Sequence, residues 1–388
     1  MEFQTLCIHG GSKKYDVTGA VSVPIFQSAT FAHPGVGEST GYDYSRQQNP
    51  TREHLEALLA GLENGTDALA FSSGMAAVSL AMELFAPGDH IIASDDIYGG
   101  THRLFFHLSA KNGVTFSLVN TSDPARVEAA VTPRTKAVFV ETPTNPMMQV
   151  TDIAAVARVT RAQGLLLLVD NTFLTPYFQK PLDLGADIVI HSGTKYLGGH
   201  NDTLSGFLVV RDPALAGRLR FLHKTVGACL SPFESWLLIR SIKTLSVRME
   251  RQQESALRVA RWLRTRPEVE AVHYPGLPDH PQYEISRRQT RGSGAMLSFA
   301  TDTAETAERI LRAVRVIQYA ESLGGAESLI TYPMLQTHAD IPEAEREAKG
   351  ITNRLLRLSV GLEAAEDLIA DLERAVTSGP DGGDRVKT

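Results

Sequence analysis

Between Thr66 and Val210 the chain alternates short, mostly apolar runs with longer segments of mixed polarity. The apolar runs are Ala68-Leu69-Ala70-Phe71, His90-Ile91-Ile92-Ala93, Val114 to Val119, Ala137-Val138-Phe139-Val140, Leu165 to Val169, Asp187-Ile188-Val189-Ile190 and Gly206-Phe207-Leu208-Val209-Val210. A strand without polar alternation has no face for water, so it needs cover on both sides. The segments between the runs supply that cover. Helices are expected at Ala76 to Phe85, from Tyr98-Gly99-Gly100-Thr101 to near Asn112-Gly113, at Val127 to Val131, and at Ile153 to Gln163, where Gly164 ends the helix. The pattern predicts an α/β fold with a large domain built on a mostly parallel seven-stranded sheet.

Outside this region the pattern changes. Residues 1–50 are rich in Gly, Pro, Ser and Tyr and read as an extended arm that runs to Tyr44-Ser45-Arg46, with a helix beginning near Thr51. Ser231 to about Arg264 reads as one long helix, opened by Pro232 and Glu234. Beyond it, strands near Ala295 to Phe299 and Leu355 to Val360, with helices at Ala304 to Val314 and Ala364 to Val376, indicate a smaller α+β domain. The expected division is an arm over 1–50, a large domain over 51–245, a C-terminal domain over 246–378 and a disordered tail over 379–388.

Bulk properties exclude several classes. A net charge of -6 offers no electrostatic attraction for nucleic acid or an anionic membrane. No apolar run approaches the roughly 20 residues of a membrane span, and no signal peptide is visible at the N-terminus. Two cysteines, Cys7 and Cys229, make no disulfide framework and suit a reducing cytoplasm. The histidines do not space as metal ligands, so no metal is expected; His273 and His280 read as surface residues of a loop, and Cys229 and Trp236 as core.

Two strand ends carry the chemistry. One run ends in Asp170-Asn171-Thr172, and the next continues into His191-Ser192-Gly193-Thr194-Lys195. A lysine and an aspartate presented at neighbouring strand ends are what pyridoxal 5'-phosphate (PLP) requires. The lysine forms the Schiff base, and the carboxylate keeps the pyridine nitrogen protonated so that the ring acts as an electron sink. Ser72-Ser73-Gly74-Met75 lies between a strand and a helix, where free amides make an anion cradle for the phosphate; taken alone, a plain helix cap explains it as well. Ser192 and Thr194 add hydroxyls. Arg357, between leucines in a strand pattern, is a candidate for a substrate carboxylate, although a structural ion pair is the simpler explanation of one isolated arginine.

Motifs along nearly the whole chain then resemble one family. They are Tyr-Ser-Arg-x-x-Asn-Pro-Thr-Arg from Tyr44, Ser-Ser-Gly-Met-Ala-Ala from Ser72, Glu-Thr-Pro-Thr-Asn-Pro from Glu141, Val-Asp-Asn-Thr-Phe from Val169, His-Ser-x-Thr-Lys-Tyr-Leu-Gly-Gly-His from His191, Ala-Glu-Ser-Leu-Gly-Gly from Ala320 and Arg-Leu-Ser-Val-Gly-Leu-Glu from Arg357. The chain resembles the Cys/Met-metabolism (trans-sulfuration) family of PLP enzymes, with the aspartate-aminotransferase-like fold, fold type I.

The resemblance implies roles. Lys195 would be the Schiff-base lysine and proton shuttle, Asp170 the partner of the pyridine nitrogen, and Tyr98 the ring-stacking tyrosine with a part in acid–base steps. Ser73, Gly74, Met75, Ser192 and Thr194 would form the phosphate cup, joined by Tyr44 and Arg46 from a neighbouring subunit. That sharing implies at least a dimer, and usually a homotetramer of two dimers. Asn145, Ser322 and Arg357 would surround the substrate carboxylate, and Glu321, Asp43 and Arg103 would read the distal end of a small amino-acid substrate. Gly100 lies where methionine γ-lyases carry cysteine. The segments 37–41, 200–202 and 330–338 are most similar to cystathionine γ-synthase/O-acetylhomoserine thiolyases, and 8–11 with 20–25 is as similar to cystathionine γ-lyases. The expected reaction is γ-replacement on an O-acylhomoserine by cysteine. The alternative is γ-elimination from cystathionine, with O-acetylhomoserine sulfhydrylase or methionine γ-lyase activity further off.

Overall fold

Strands fully shielded on both faces form the centre of the molecule. The computed structural model describes residues 1–11, 18–339 and 341–377; the expected tail over 379–388 and residues 12–17 of the expected arm lie outside them. Strands β1 (Asp67–Phe71), β2 (His90–Ser94), β3 (Thr115–Val119), β4 (Thr135–Glu141), β5 (Leu166–Asp170), β6 (Ile188–Ser192) and β7 (Gly206–Val210) make one seven-stranded sheet in the order β1-β7-β6-β5-β4-β2-β3. Only β7 runs against its neighbours; the pairs β2/β3, β2/β4, β4/β5 and β5/β6 are parallel. The expected mostly parallel sheet is present.

Alternate residues explain why the runs carry so little polarity. Leu69, Phe71, Phe139, Leu168, Ile188, Ile190 and Leu208 pack into one buried cluster with Ala77, Leu80 and Ala81 of the helix Gly74–Met82. Their neighbours in sequence, among them Val138, Val140, Leu167 and Val169, face the opposite way and pack on Ile153 and Val156 of the helix Ile153–Gln163. Gly164 ends that helix in the left-handed region, at φ 65°.

The smaller sheet comprises β8 (Val269–His273), β9 (Met296–Thr301), β10 (Gln318–Tyr319), β11 (Leu329–Thr331) and β12 (Leu355–Ser359), in the order β10-β11-β12-β9-β8. All its pairs are antiparallel except β10/β11. β12 lies between β9 and β11, so Arg357 has Ser298 and Thr331 as its cross-strand partners.

Several expectations change. Phe3–His9 is a helix rather than extended arm, because Phe3 and Cys7 fall on one face and are buried in a cluster with Leu55, Leu58 and Leu59 of the helix Pro50–Leu62. The expected long helix from Ser231 is two, Pro232–Ile242 and Leu245–Leu263. At the break, buried Arg248 donates to the carbonyls of Tyr196 (2.7 Å) and Ser241 (3.1 Å) and to Thr244 Oγ1 (3.1 Å). The Ser241 carbonyl also accepts from the Thr244 amide at 3.2 Å, three residues on, where a continuing α-helix would pair it four residues on. The helix expected from Tyr98 starts at Gly99 but passes into a π-turn over Leu104–Ser109 before Gly113 ends it. His280 is buried with its Nε2 3.0 Å from the Met148 carbonyl, and His273 ends β8 half-buried, so neither is a surface-loop histidine. Cys229 and Trp236 are half-buried rather than core. Among the described residues no helix is long and apolar enough to cross a membrane.

Candidate active site

The C-terminal ends of β4, β5 and β6 open onto a cavity of about 210 Å3, where ligands of parallel sheets generally bind. Its walls carry Lys195, Asp170, Ser192, Thr194, Ser73, Gly74, Met75, Tyr98, Asn145, Glu321, Ser322 and Arg357, all expected at the site from the sequence, together with Glu141 and Thr172, which the sequence placed in motifs but gave no site role.

Asp170 is the last residue of β5. Its Oδ1 accepts bonds from the Thr172 amide (3.0 Å) and the Thr172 hydroxyl (2.5 Å). The same hydroxyl accepts from the Ser192 amide at 2.9 Å, so Thr172 ties the ends of β5 and β6 together. Burial raises the Asp170 carboxyl above its ordinary range, while the Thr172 bonds and the nearby His191 pull it back. The signal for Thr172 was the Asp-x-Thr spacing, which suits a local side-chain turn.

Glu141 closes β4 and is the register partner of Asp170. Its Oε2 accepts from the Tyr98 amide at 2.9 Å. Burial, and then the Asp170 charge, push the Glu141 carboxyl well above its usual value. The peptides before Pro143 and Pro146 are both cis.

Lys195 follows β6. Its Nζ donates to Ser322 Oγ at 2.9 Å. Burial first, and the Arg357 charge second, lower the amine to about 8, with Glu321 opposing. Ser322 holds a backbone φ of 102°, in a region that non-glycine residues rarely occupy. Its carbonyl accepts from Arg357 Nη2 at 3.1 Å. Arg357 also donates to Asn145 Oδ1 (2.8 Å) and Thr331 Oγ1 (3.1 Å). Among the described residues its acceptors are all neutral, so the simpler explanation of a structural ion pair does not hold. Burial lowers the guanidinium only to about 10, so it stays charged at neutral pH.

At the other end Ser73 caps the helix Gly74–Met82, its Oγ accepting from the Ala76 amide at 3.1 Å. The first amides of a helix have no partner within it, and those of Gly74 and Met75 border the cavity. A Cβ on Gly74 would come within 2.9 Å of Ser192 Cβ, so only glycine lets this helix end approach the end of β6. Thr194 Oγ1 is bonded to Ser205 through both its backbone groups (3.0 and 3.2 Å). Tyr98 is about two-fifths exposed, and a Cβ at Gly100 would meet its ring at 2.5 Å.

Four named residues are not brought to this cavity. Tyr44 and Arg46 lie on the N-terminal segment, where the Arg46 guanidinium is 5.5 Å from the Tyr44 ring and donates to the Lys224 carbonyl. Asp43 accepts from Ser39 Oγ at 2.8 Å and pairs with His33 at 3.3 Å. Arg103 is exposed at the end of the helix that follows Tyr98.

The residues present suit PLP. The cavity joins an amide cradle for an anion, a buried lysine of lowered basicity, a hydrogen-bonded carboxylate and an aromatic ring at its rim. The family model for Cys/Met metabolism PLP-dependent enzymes matches residues 4–377. The chain belongs to this family. It is 52% identical over 373 residues to a cystathionine gamma-synthase/O-acetylhomoserine (thiol)-lyase of Bacillus subtilis (strain 168), covering 96% of this chain and 95% of that one. It is 46% identical over 376 residues to a cystathionine beta-lyase of Coxiella burnetii (strain RSA 493 / Nine Mile phase I), covering 96% and 97%. A solved cystathionine gamma-lyase from Lactobacillus plantarum, complexed with L-serine, superposes with a TM-score of 0.95 at 48% identity over 97% of this chain and 98% of that one. The chain is therefore a PLP-dependent trans-sulfuration enzyme with the fold of its solved relative. Synthase, γ-lyase and β-lyase relatives stand at similar identity.

Proposed function

We propose that this enzyme catalyses γ-replacement, joining an O-acylhomoserine to L-cysteine to give cystathionine. The observation that carries the reading is the placement of Lys195, a buried amine lowered to about 8, held by Ser322 near the Arg357 guanidinium. PLP bound here supplies an electron sink for charge that develops on the substrate's carbon chain. The Gly74 and Met75 amides with Ser192 and Thr194 would hold its phosphate, Asp170 would serve its ring nitrogen, and Tyr98 would stack on its ring. In a homotetramer Tyr44 and Arg46 would add to the phosphate site of a neighbouring subunit.

Arg357 and Asn145 bind the substrate carboxylate, which sets Cα beside Lys195. γ-Chemistry needs protons removed from Cα and then Cβ before the γ-substituent leaves. A lysine on a flexible stem reaches both positions, and a basicity near neutral lets it take and return a proton. Glu321 borders the same cavity, with Asp43 and Arg103 as further readers of the distal amino-acid group. The relative that is 52% identical supports the synthase reading; the solved relative supports a γ-lyase that releases cysteine, 2-oxobutanoate and ammonia from cystathionine.

The test supplies O-acetyl- or O-succinylhomoserine with cysteine, and cystathionine alone. Cystathionine made from the first pair is the expected result. Turnover of cystathionine alone to 2-oxobutanoate and cysteine would establish the γ-lyase instead. Pyruvate and homocysteine from the same substrate would establish a β-lyase.

A further inference from the structure

The far face of the sheet carries a second, buried polar cluster directly behind the cavity. Side chains alternate along a strand, so while Ile190 and Ser192 border the cavity, His191 between them points away from it. There His191 Nε2 lies 2.6 Å from Glu63 Oε1, and both side chains are fully buried. Asn171, the residue after Asp170, reaches the same oxygen with its Nδ2 at 3.1 Å. Asn171 is fixed in turn by Gln179, whose carbonyl accepts its Nδ2 at 2.8 Å and whose Nε2 donates to its Oδ1 at 2.9 Å. The residue after the aspartate and the residue before the cup serine are thus tied to one carboxylate, that of Glu63 at the C-terminal cap of the helix Pro50–Leu62.

Glu63 Oε2 and His191 Nδ1 have no hydrogen-bond partner. A buried carboxylate is strongly disfavoured unless it is hydrogen-bonded, and Glu63 Oε1 here has two partners, His191 Nε2 and Asn171 Nδ2. His191 stands one residue from Ile190, which is the register partner of Asp170.

We propose that His191 is a positioning residue for the cofactor: bonded with Asn171 to one Glu63 oxygen behind the sheet, it fixes the end of β6 against the end of β5 and so holds the Asp170 carboxylate in place at the cavity wall. This rests on the reading of Asp170 as the partner of the ring nitrogen. His191 touches neither cofactor nor substrate and acts only through Asp170.

The experiment measures PLP dissociation constants and the absorption maximum of bound PLP in His191→Gln, Glu63→Gln, Asp170→Asn and the double variant His191→Gln/Asp170→Asn. His191→Gln is expected to weaken PLP about tenfold and to shift the absorption maximum in the same direction as Asp170→Asn. Glu63→Gln, which replaces the carboxylate acceptor shared by His191 and Asn171 with a weaker amide oxygen, moves both in the same direction and serves if His191→Gln does not fold. In the Asp170→Asn background the His191 change should have no further effect. The proposal is overturned if His191→Gln and Glu63→Gln retain wild-type affinity and absorption while Asp170→Asn loses them. It is overturned equally if His191→Gln costs the same factor with Asp170 absent, which marks a structural role alone. Wild-type behaviour of Asp170→Asn overturns the reading of Asp170 itself, and this proposal with it.

Discussion

Glu141 and Asp170 are register partners at the ends of adjacent parallel strands, and both carboxyl groups face one cavity. Two carboxylates this close do not both ionise in a site screened from water. Asp170 has two donors, both from Thr172. Glu141 has one, the Tyr98 amide. The proton therefore belongs to Glu141, and Asp170 carries the charge.

Glu141→Gln copies the protonated acid and should bind PLP within about twofold of wild type, whereas Glu141→Ala removes an acceptor and frees Tyr98. Stability gives the sign. A carboxyl whose folded value lies above its ordinary 4.5 binds more protons folded than unfolded, so wild-type stability falls as pH rises above 4.5. Urea unfolding of the apoprotein at pH 5 and pH 8 should show Glu141→Gln gaining on wild type at the higher pH. An unchanged difference would sink the assignment of the proton.

Lys195 must be neutral to react with PLP. With its amine lowered to about 8, the rate of PLP capture by apoprotein should rise with pH and level off above that value. Borohydride reduction should trap the adduct on this residue, and Lys195→Ala should abolish it; a trapped adduct on another lysine refutes the role.

Arg357 presents a fixed guanidinium whose acceptors in the chain are neutral. Charge-assisted bonds to a carboxylate contribute about 1.5–3 kcal/mol, so Arg357→Lys should raise KM for the amino-acid substrate about 10- to 100-fold. PLP affinity should hardly change. Loss of PLP with unchanged KM would move Arg357 from the substrate to the cofactor.

Tyr44 and Arg46 are remote from the cavity of their own chain, so their roles require a neighbour. Arg46→Ala should weaken PLP retention, and mixing it with Lys195→Ala chains should restore activity to about a quarter of the sites, as random pairing in a symmetric dimer dictates. Failure of the mixture to recover any activity, with exchange of chains demonstrated, is evidence against shared sites.

Arg357 shows where reading the chain residue by residue stopped. Alone it looked like half of an ion pair, because a buried cation needs compensation and its distant partners are invisible in sequence. Asn145, Ser322 and Thr331 supply that compensation from three separate segments. Phe3 and Cys7 were misread for a local reason: one turn of apolar spacing is too short to stand out from an irregular segment. The break after Ile242 was hidden because helix periodicity runs on either side of it, and the partners of the Ser241 carbonyl there, Thr244 and Arg248, are set by the folded backbone.

Sequence alone determined the alternating layers, the strand ends bearing Asp170 and Lys195, and the glycine-bearing helix start at Ser73-Gly74. Each follows from local rules: periodicity for the strands, free amides for the cradle, and residue type for the chemistry. Only the tertiary structure decided that Glu141 faces Asp170, that Ser322 holds Lys195, and that His191 backs the site through Glu63. Those relationships depend on the order and register of strands far apart in the chain, and register is set by packing across the whole sheet rather than by any one segment.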